Sequence, residues 1–221
     1  MRVALSIVLS CAWFAAGPMP IAASSAQQPR TARGRLFEPA KLGELEVRDR
    51  DEWQEPDRIM DALGIADGAR VADVGAGGGW FTIRLAKRVG PNGRVYAEDI
   101  QHQMIESIER RMLRENLRWV ETTLGTPTDP KLPGNLDAVL IVDTYPQLDE
   151  PVLMLKHLAK ALAPNGRLGI VDFRKDVFGP GPAMNERLEP EAIIRDATRA
   201  GLRLHAHHKF LRYQYLLVFT R

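Results

Sequence analysis

Four glycines fall within five positions of VADVGAGGGW, Val71 to Trp80, leaving a turn almost without side chains. Such a turn loses extra entropy on folding. It makes sense where backbone must pass close to another group or adopt positive φ. An apolar run precedes it and an amphipathic segment follows, the order of a strand, a loop and a helix. Free N–H groups at a helix start, together with those of the loop, can grip the polar part of a ligand. Asp73 opens the turn, where a carboxylate can hold turn amides by charge-assisted hydrogen bonds or receive a ligand's ammonium group. Twenty residues after Gly79 stands Asp99, closing a second apolar run with Glu98 beside it. An acid in that place can accept both hydroxyls of a ribose. Loop and acid together point to a ligand that carries a nucleoside.

The spacing narrows the choice. Gly75 and Gly77 meet the first two places of a G-x-G-x-x-G fingerprint, but the third falls on Trp80, a large ring where close packing wants glycine. No G-K-[ST] follows, so the phosphate-loop pattern fails as well.

Further along, Asp143 ends the apolar run DAVLIVD and Tyr145 follows it closely. A polar residue at the tip of a buried strand can orient a substrate or take a proton. Asp172 ends another apolar run and is expected to cap the loop behind it. His205, His207 and His208 carry imidazoles, a common ligand type. On a strand, His205 and His207 share one face, with Leu202, Leu204 and Ala206 opposite. Exposed strand histidines account for this pattern, and no metal site is assigned. Trp53 and Trp80 are expected to be packing rings.

These residues need a scaffold, and the pattern supplies one. Pro56 and Gly64 bracket a short helix containing Ile59, Met60 and Leu63. From Arg70, strand and helix candidates alternate. The strands are RVADV, RVYAED, LRWVET, DAVLIVD and GRLGIVDF. Between them lie the helices FTIRLAKRV, QMIESIERRMLREN and PVLMLKHLAKAL, the last ended by APNG, and EPEAIIRDATRA follows the fifth strand. Met104, Ile105, Ile108, Met112 and Leu113 supply the apolar face of the second of these helices. Such alternation predicts an α/β fold, a Rossmann-like three-layer sandwich with a mainly parallel seven-stranded sheet. LRLHAHH and YQYLLVFT are separated by too few residues for a parallel crossover, so they form an antiparallel C-terminal hairpin. A Gly/Pro loop, VFGPGPAMNERLEP, is long enough to line or cover a site.

Composition bounds the rest. The chain has 221 residues, 45% apolar and 26% charged, with a formal net charge of +2. That suits one main domain and argues against a nucleic-acid partner. The single cysteine, Cys11, excludes an internal disulfide framework and a zinc site of several thiolates. Its surroundings, MRVALSIVLSCAWFAA followed by SSAQQ, read as a signal peptide over residues 1–26. Export to the periplasm or beyond is therefore expected, with a lipid anchor on Cys11 as the alternative and no integral span after leader removal. Residues 27–50 form a tether and N-terminal cover, and residues 51–221 the main domain. The segment RDRDEW either orders the cover over the site or is ordinary charged surface.

VADVGAGGGWFTIRLAKRVGPNGRVYAEDIQHQMI resembles the first two motifs of the class I S-adenosylmethionine-dependent methyltransferases. Over about residues 50–221 the chain is similar to their quinone-biosynthesis-like branch, and more narrowly to small exported members. The resemblance implies S-adenosylmethionine as cofactor and a small-molecule or lipid-like acceptor. It implies that Asp73, Gly75, Ala76, Gly77 and Gly79 wrap the methionine part, that Asp99 binds the ribose and that Ile100 packs on the adenine. Asp129 would meet the adenine amino group, with Leu124 and Gly125 supplying backbone. Asp143, Thr144 and Tyr145 would face methyl transfer, Asp143 and Tyr145 as the catalytic candidates. Pro146 and Gln147 stand where the branch carries histidine and glutamate, which removes an imidazole and a carboxylate from the rim. Two other functions stay open: a nucleoside-binding protein without catalysis, and an NAD-dependent oxidoreductase, against which Trp80 speaks.

Overall fold

The computed structural model describes residues 36–46 and 49–221. The expected leader, Cys11 and, in the tether and cover, residues 27–35 and 47–48 lie outside the described residues. Seven strands form one sheet in the order β3-β2-β1-β4-β5-β7-β6. They are β1 (Arg70–Val74), β2 (Arg94–Asp99), β3 (Val120–Leu124), β4 (Leu136–Val142), β5 (Leu162–Phe173), β6 (Arg203–His208) and β7 (Gln214–Thr220). The first five are parallel, and β7 runs antiparallel between β5 and β6. Chain order reverses between β1 and β4, so their C-terminal ends open a crevice, the usual ligand position in an open α/β sheet.

Helices cover both faces. α2 (Pro56–Ala62), α3 (Trp80–Val89) and α4 (His102–Glu115) bury Ile59, Leu85, Val89 and Ile108 against Val71, Val95 and Leu140. α5 (Pro151–Ala161) and α6 (Pro190–Arg199) bury Leu155, Leu158 and Ile193 against Val139, Ile141 and Phe219. The continuous apolar run of β4 follows from this, because both of its faces meet helices. α1 (Arg50–Gln54) and a 3₁₀ helix at Pro39–Leu45 precede the sheet.

Local departures from the sequence pattern have identifiable causes. Leu113 is 82% exposed, because it sits about 100° round the helix from Met112 and off the buried stripe. β3 starts three residues later than LRWVET implies, after Asn116 has ended α4 in the left-handed conformation. APNG does not stop short of β5 but loops out within it, since Leu136 pairs Leu162 while Ala138 pairs Arg167. In β6 a bulge between Leu204 and Ala206 breaks the alternation, and Leu204 is exposed where an apolar counter-face was expected. His207 packs edge-on against Tyr215 and His208 against Phe210.

Candidate active site

The glycine loop rises from the tip of β1. Gly75, Gly77 and Gly79 all have positive φ (69°, 55° and 79°), which explains why side chains were given up here. Gly75 has a second reason: a Cβ there would stand 2.3 Å from the Thr144 methyl. Hydrogen bonds tie the loop to β2. Ala76 donates its N–H to the Glu98 carbonyl (2.8 Å), Gly75 to a Glu98 carboxylate oxygen (3.3 Å), and Gly77 to Asp99 Oδ2 (3.0 Å). Asp99 Oδ1 accepts from the Gln101 N–H at 2.9 Å. Under the loop, Asp73 accepts from the Thr82 hydroxyl of α3 at 2.6 Å.

β4 supplies the opposite wall. Asp143 ends it with φ at 56°, a left-handed corner for a residue with a side chain. Its carboxylate is clasped from two distant elements. Gln214 of β7 donates at 2.5 Å and Gln54 of α1 at 3.3 Å, while Arg50 of α1 stands 3.8 Å away. Gln54 also receives Arg50 Nε at 2.6 Å and donates to Gln214 at 2.9 Å, so four side chains form one buried network. The Arg50 guanidinium lies 4.2 Å over the Trp80 ring and Arg84 covers that ring at 3.4 Å.

Between these walls lies a cavity of about 340 Å³. Asp73, Gly75, Ala76, Gly77, Asp99, Ile100, Asp143 and Thr144 all line it. The Trp80 ring also lines it without standing between the loop and Asp99, which touch directly. Leu36, Phe37, Leu42 and Glu46 of the N-terminal segment close one side. Gln101 holds the Phe37 carbonyl at 3.1 Å, and Arg111 pairs with Glu46.

Five of the expected site residues do not line this cavity, among them Leu124, which is exposed at the end of β3. Gly79 begins α3 and faces Ile108 of α4 instead. Gly125 donates to the Asp99 carbonyl and packs on Glu98, with Pro127 lining the cavity in its place. Asp129 points outward, half-exposed, 3.6 Å from His157 Nδ1. Tyr145 begins a 3₁₀ turn at Tyr145–Gln147 that buries its ring, and its hydroxyl donates to Asp196 of α6 at 3.1 Å. It does not line the cavity, whereas Gln147 and Leu148 do. Asp172 is buried and accepts the Phe173 N–H, and its Oδ2 has no hydrogen-bond partner among the described residues. Sequence reasoning missed Arg50, Gln54, Gln214 and Glu98. Arg50 and Gln54 carried one signal, their place in a charged segment ahead of the first strand.

The electrostatics of the cavity are one-sided. Among the described residues its charged lining consists of Glu46, Asp73, Glu98, Asp99, Asp143 and Asp149 against Arg50. Burial disfavours the charged carboxylates. It lifts Glu98 to about 8, and lifts Asp73 and Asp143 to about 6 against the pull of Thr82, Arg50 and the two glutamines. Asp99 is raised by burial too, opposed by its backbone N–H donors. A ligand bringing positive charge relieves this crowding, and one bringing negative charge adds to it.

Known proteins agree with that geometry. Residues 71–166 match the family model of the methyltransferase domain. Nocamycin O-methyltransferase of Saccharothrix syringae is 30% identical over 68% of this chain and 57% of its own length. The ubiquinone/menaquinone biosynthesis C-methyltransferase UbiE of Pasteurella multocida is 28% identical over 55% of this chain and 46% of its own. The chain thus spans about half the length of the curated relatives it matches. A solved S-adenosylmethionine-dependent methyltransferase from Aquifex aeolicus superposes with a TM-score of 0.79 at 28% identity, over 83% of this chain and 98% of that one. In sequence over residues 71–166 and in fold, the chain is similar to the class I S-adenosylmethionine-dependent methyltransferases, and at moderate identity to the UbiE-like quinone methyltransferases.

Proposed function

We propose that the protein transfers a methyl group from S-adenosylmethionine to a small-molecule, lipid-like acceptor. The observation that carries this is the charge of the cavity: even with Glu98 protonated at neutral pH, five lining acids face one arginine, among the described residues, around a glycine loop and a ribose-ready carboxylate. S-adenosylmethionine brings a sulfonium and an ammonium group to those acids. NAD would bring a pyrophosphate into the same field, which argues against the oxidoreductase. Asp73, Gly75, Ala76 and Gly77 would hold the methionine part, Asp99 the ribose and Ile100 the adenine.

Methyl transfer needs in-line alignment and a deprotonated acceptor, since the sulfonium is already a good leaving group. Asp143 is the cavity-facing group suited to orient the acceptor or take its proton. The relatives name O-, C- and N-methyltransferases, so they do not select the acceptor atom. The apolar lining from Leu36, Phe37, Leu42 and Leu148 favours an acceptor with hydrocarbon character. Calorimetric titration of the purified protein with S-adenosylmethionine, S-adenosylhomocysteine and NAD tests the proposal. Binding of the first two and not the third is expected, and preference for NAD overturns it.

A second function, binding without transfer, draws support from the rim. Tyr145 is turned away, and the neutral amide of Gln147 lines the cavity beside Pro146. Transfer of labelled methyl to a lipid extract separates the two, and label in no product would favour binding alone. We read residues 1–26 as an export leader and the protein as a small exported member of its branch, with lipidation of Cys11 as the alternative. Fractionation of cells making the chain with and without residues 1–26 tests export.

A further inference from the structure

The loop between β5 and α6 is built as a rigid knuckle. The buried Arg187 guanidinium donates to four backbone carbonyls around it: Arg174 and Val177 at 2.8 Å, Pro180 and Pro182 at 3.0 Å. Gly181 lies against the Phe173 ring, and Gly179 against the Tyr213 ring so closely that a Cβ would come within 2.5 Å. Arg174 donates its N–H to the Tyr213 carbonyl at 2.9 Å, which joins the knuckle to the turn before β7.

This stiff support holds an aromatic ring in water. Phe178, at the tip, is 86% exposed, more than any other large apolar side chain among the described residues. Lys175 shares its loop, and Lys209 and Arg212 stand in the turn that the loop packs against through Tyr213. Lys209 and Arg212 are exposed, and neither they nor Lys175 enter an ion pair among the described residues. Arg174 is neutralised by Asp176 at 2.7 Å. A single ring on a convex tip lacks the broad apolar area of a protein interface. An exposed aromatic side chain with exposed cations in the neighbouring turn instead suits a bilayer surface, where the ring enters the interface and the cations meet phosphates.

We infer that the Phe178 knuckle and the Lys209–Arg212 turn form a docking surface for an anionic lipid bilayer. The surface lies beside the cavity wall. Trp53 of α1 packs 6.0 Å from Phe173 and 6.1 Å from Tyr213, on the helix that carries Arg50 and Gln54 inward. Docking would hold that wall close to the membrane, whatever chemistry the cavity performs.

The test uses the full chain with Cys11→Ser, so that one introduced cysteine carries an environment-sensitive fluorophore. Phe178→Cys reports the knuckle, and Leu113→Cys reports an exposed apolar position on α4, which packs on β2 and β3. Vesicles of phosphatidylcholine, alone or mixed with phosphatidylglycerol, are titrated into each. Brighter, blue-shifted emission is expected at 178 with the anionic vesicles and not at 113. Lys209→Glu with Arg212→Glu, in a protein of unchanged melting temperature, should weaken that response by about tenfold or more. No response at 178, an equal response to neutral vesicles, or full binding by the charge-reversed protein overturns the inference. So does a response at 178 to a purified protein partner in place of vesicles.

Discussion

Gly77 gives its backbone N–H to Asp99 Oδ2 across 3.0 Å, so the loop after β1 and the acid that ends β2 act as one unit. Asp99 is thus both a support for the loop and an acceptor facing the cavity. Asp99→Ala should weaken S-adenosylmethionine binding by about 10- to 100-fold, the loss expected for hydrogen bonds to a charged group. Far-ultraviolet circular dichroism should be unchanged, because the strand itself is held by β1 and β3. Calorimetry showing wild-type affinity would remove the ribose assignment.

What was legible in the sequence was what lies close together along it. The glycine loop, the acid twenty residues on and the two-sided apolar run of β4 each occupy one short stretch, and local spacing betrays them. The clasp on Asp143 is different in kind. Gln54 and Gln214 come from 89 and 71 residues away, and an isolated glutamine in an amphipathic stretch carries no mark of its partner. Tyr145 misled for a related reason. Spacing from the strand end put it at the rim, but the left-handed corner at Asp143 and the 3₁₀ turn behind it send the ring toward α6. Neither feature has a signature stronger than a proline in the turn.

Glu98 makes stability depend on pH. Burial raises its folded pKa to about 8 from an ordinary 4.5, so the folded state binds the proton more tightly than the unfolded chain. Its contribution is full below about pH 4.5 and is lost as pH rises through 8. Asp73, Asp143 and Asp172 are raised in the same direction, so the wild-type melting temperature should fall across this range. Glu98→Gln keeps an acceptor for the Gly75 N–H and removes the titration. Its melting temperature, relative to wild type, should rise by at least about 3 °C between pH 5 and pH 8.5. Parallel curves for the two proteins would mean that Glu98 does not titrate there.

Gly125 exists to make room for that carboxylate. A Cβ at 125 would stand 1.8 Å from Glu98 Oε1, far inside any tolerable contact. Gly125→Ala should therefore destabilise by about 1–3 kcal/mol, as overpacking does. Glu98→Ala clears the obstacle, so the double variant should recover most of the loss that Gly125→Ala causes alone. Chemical denaturation of the four proteins gives the coupling directly, and additive effects would contradict it.

Tyr145 should prove structural. Its hydroxyl donates to Asp196 at 3.1 Å, away from the cavity. Tyr145→Phe is expected to leave S-adenosylmethionine affinity within about twofold while costing about 1 kcal/mol of stability. A large loss of affinity at unchanged melting temperature would instead mean that the ring turns into the cavity when ligand binds.

Arg50 should tune the proton affinity of Asp143. Burial pushes the Asp143 carboxyl up to about 6, and the Arg50 guanidinium, 3.8 Å away, is the strongest influence holding it down. Removing that charge leaves the burial, the two glutamine donors and the more distant Arg187, so the midpoint must move upward. Arg50→Gln, with ¹³C-labelled aspartate and the carboxyl resonance followed from pH 4 to 9, should show it titrating clearly above the wild-type midpoint. If Asp143 takes a proton during methyl transfer, the acid limb of the rate profile must move with the resonance, because both report the same group. A resonance that shifts while the rate profile stays still would leave Asp143 an orienting residue and assign proton removal elsewhere. A resonance that does not shift would mean that the clasp from Gln54 and Gln214, and not the arginine, sets the charge state at the tip of β4.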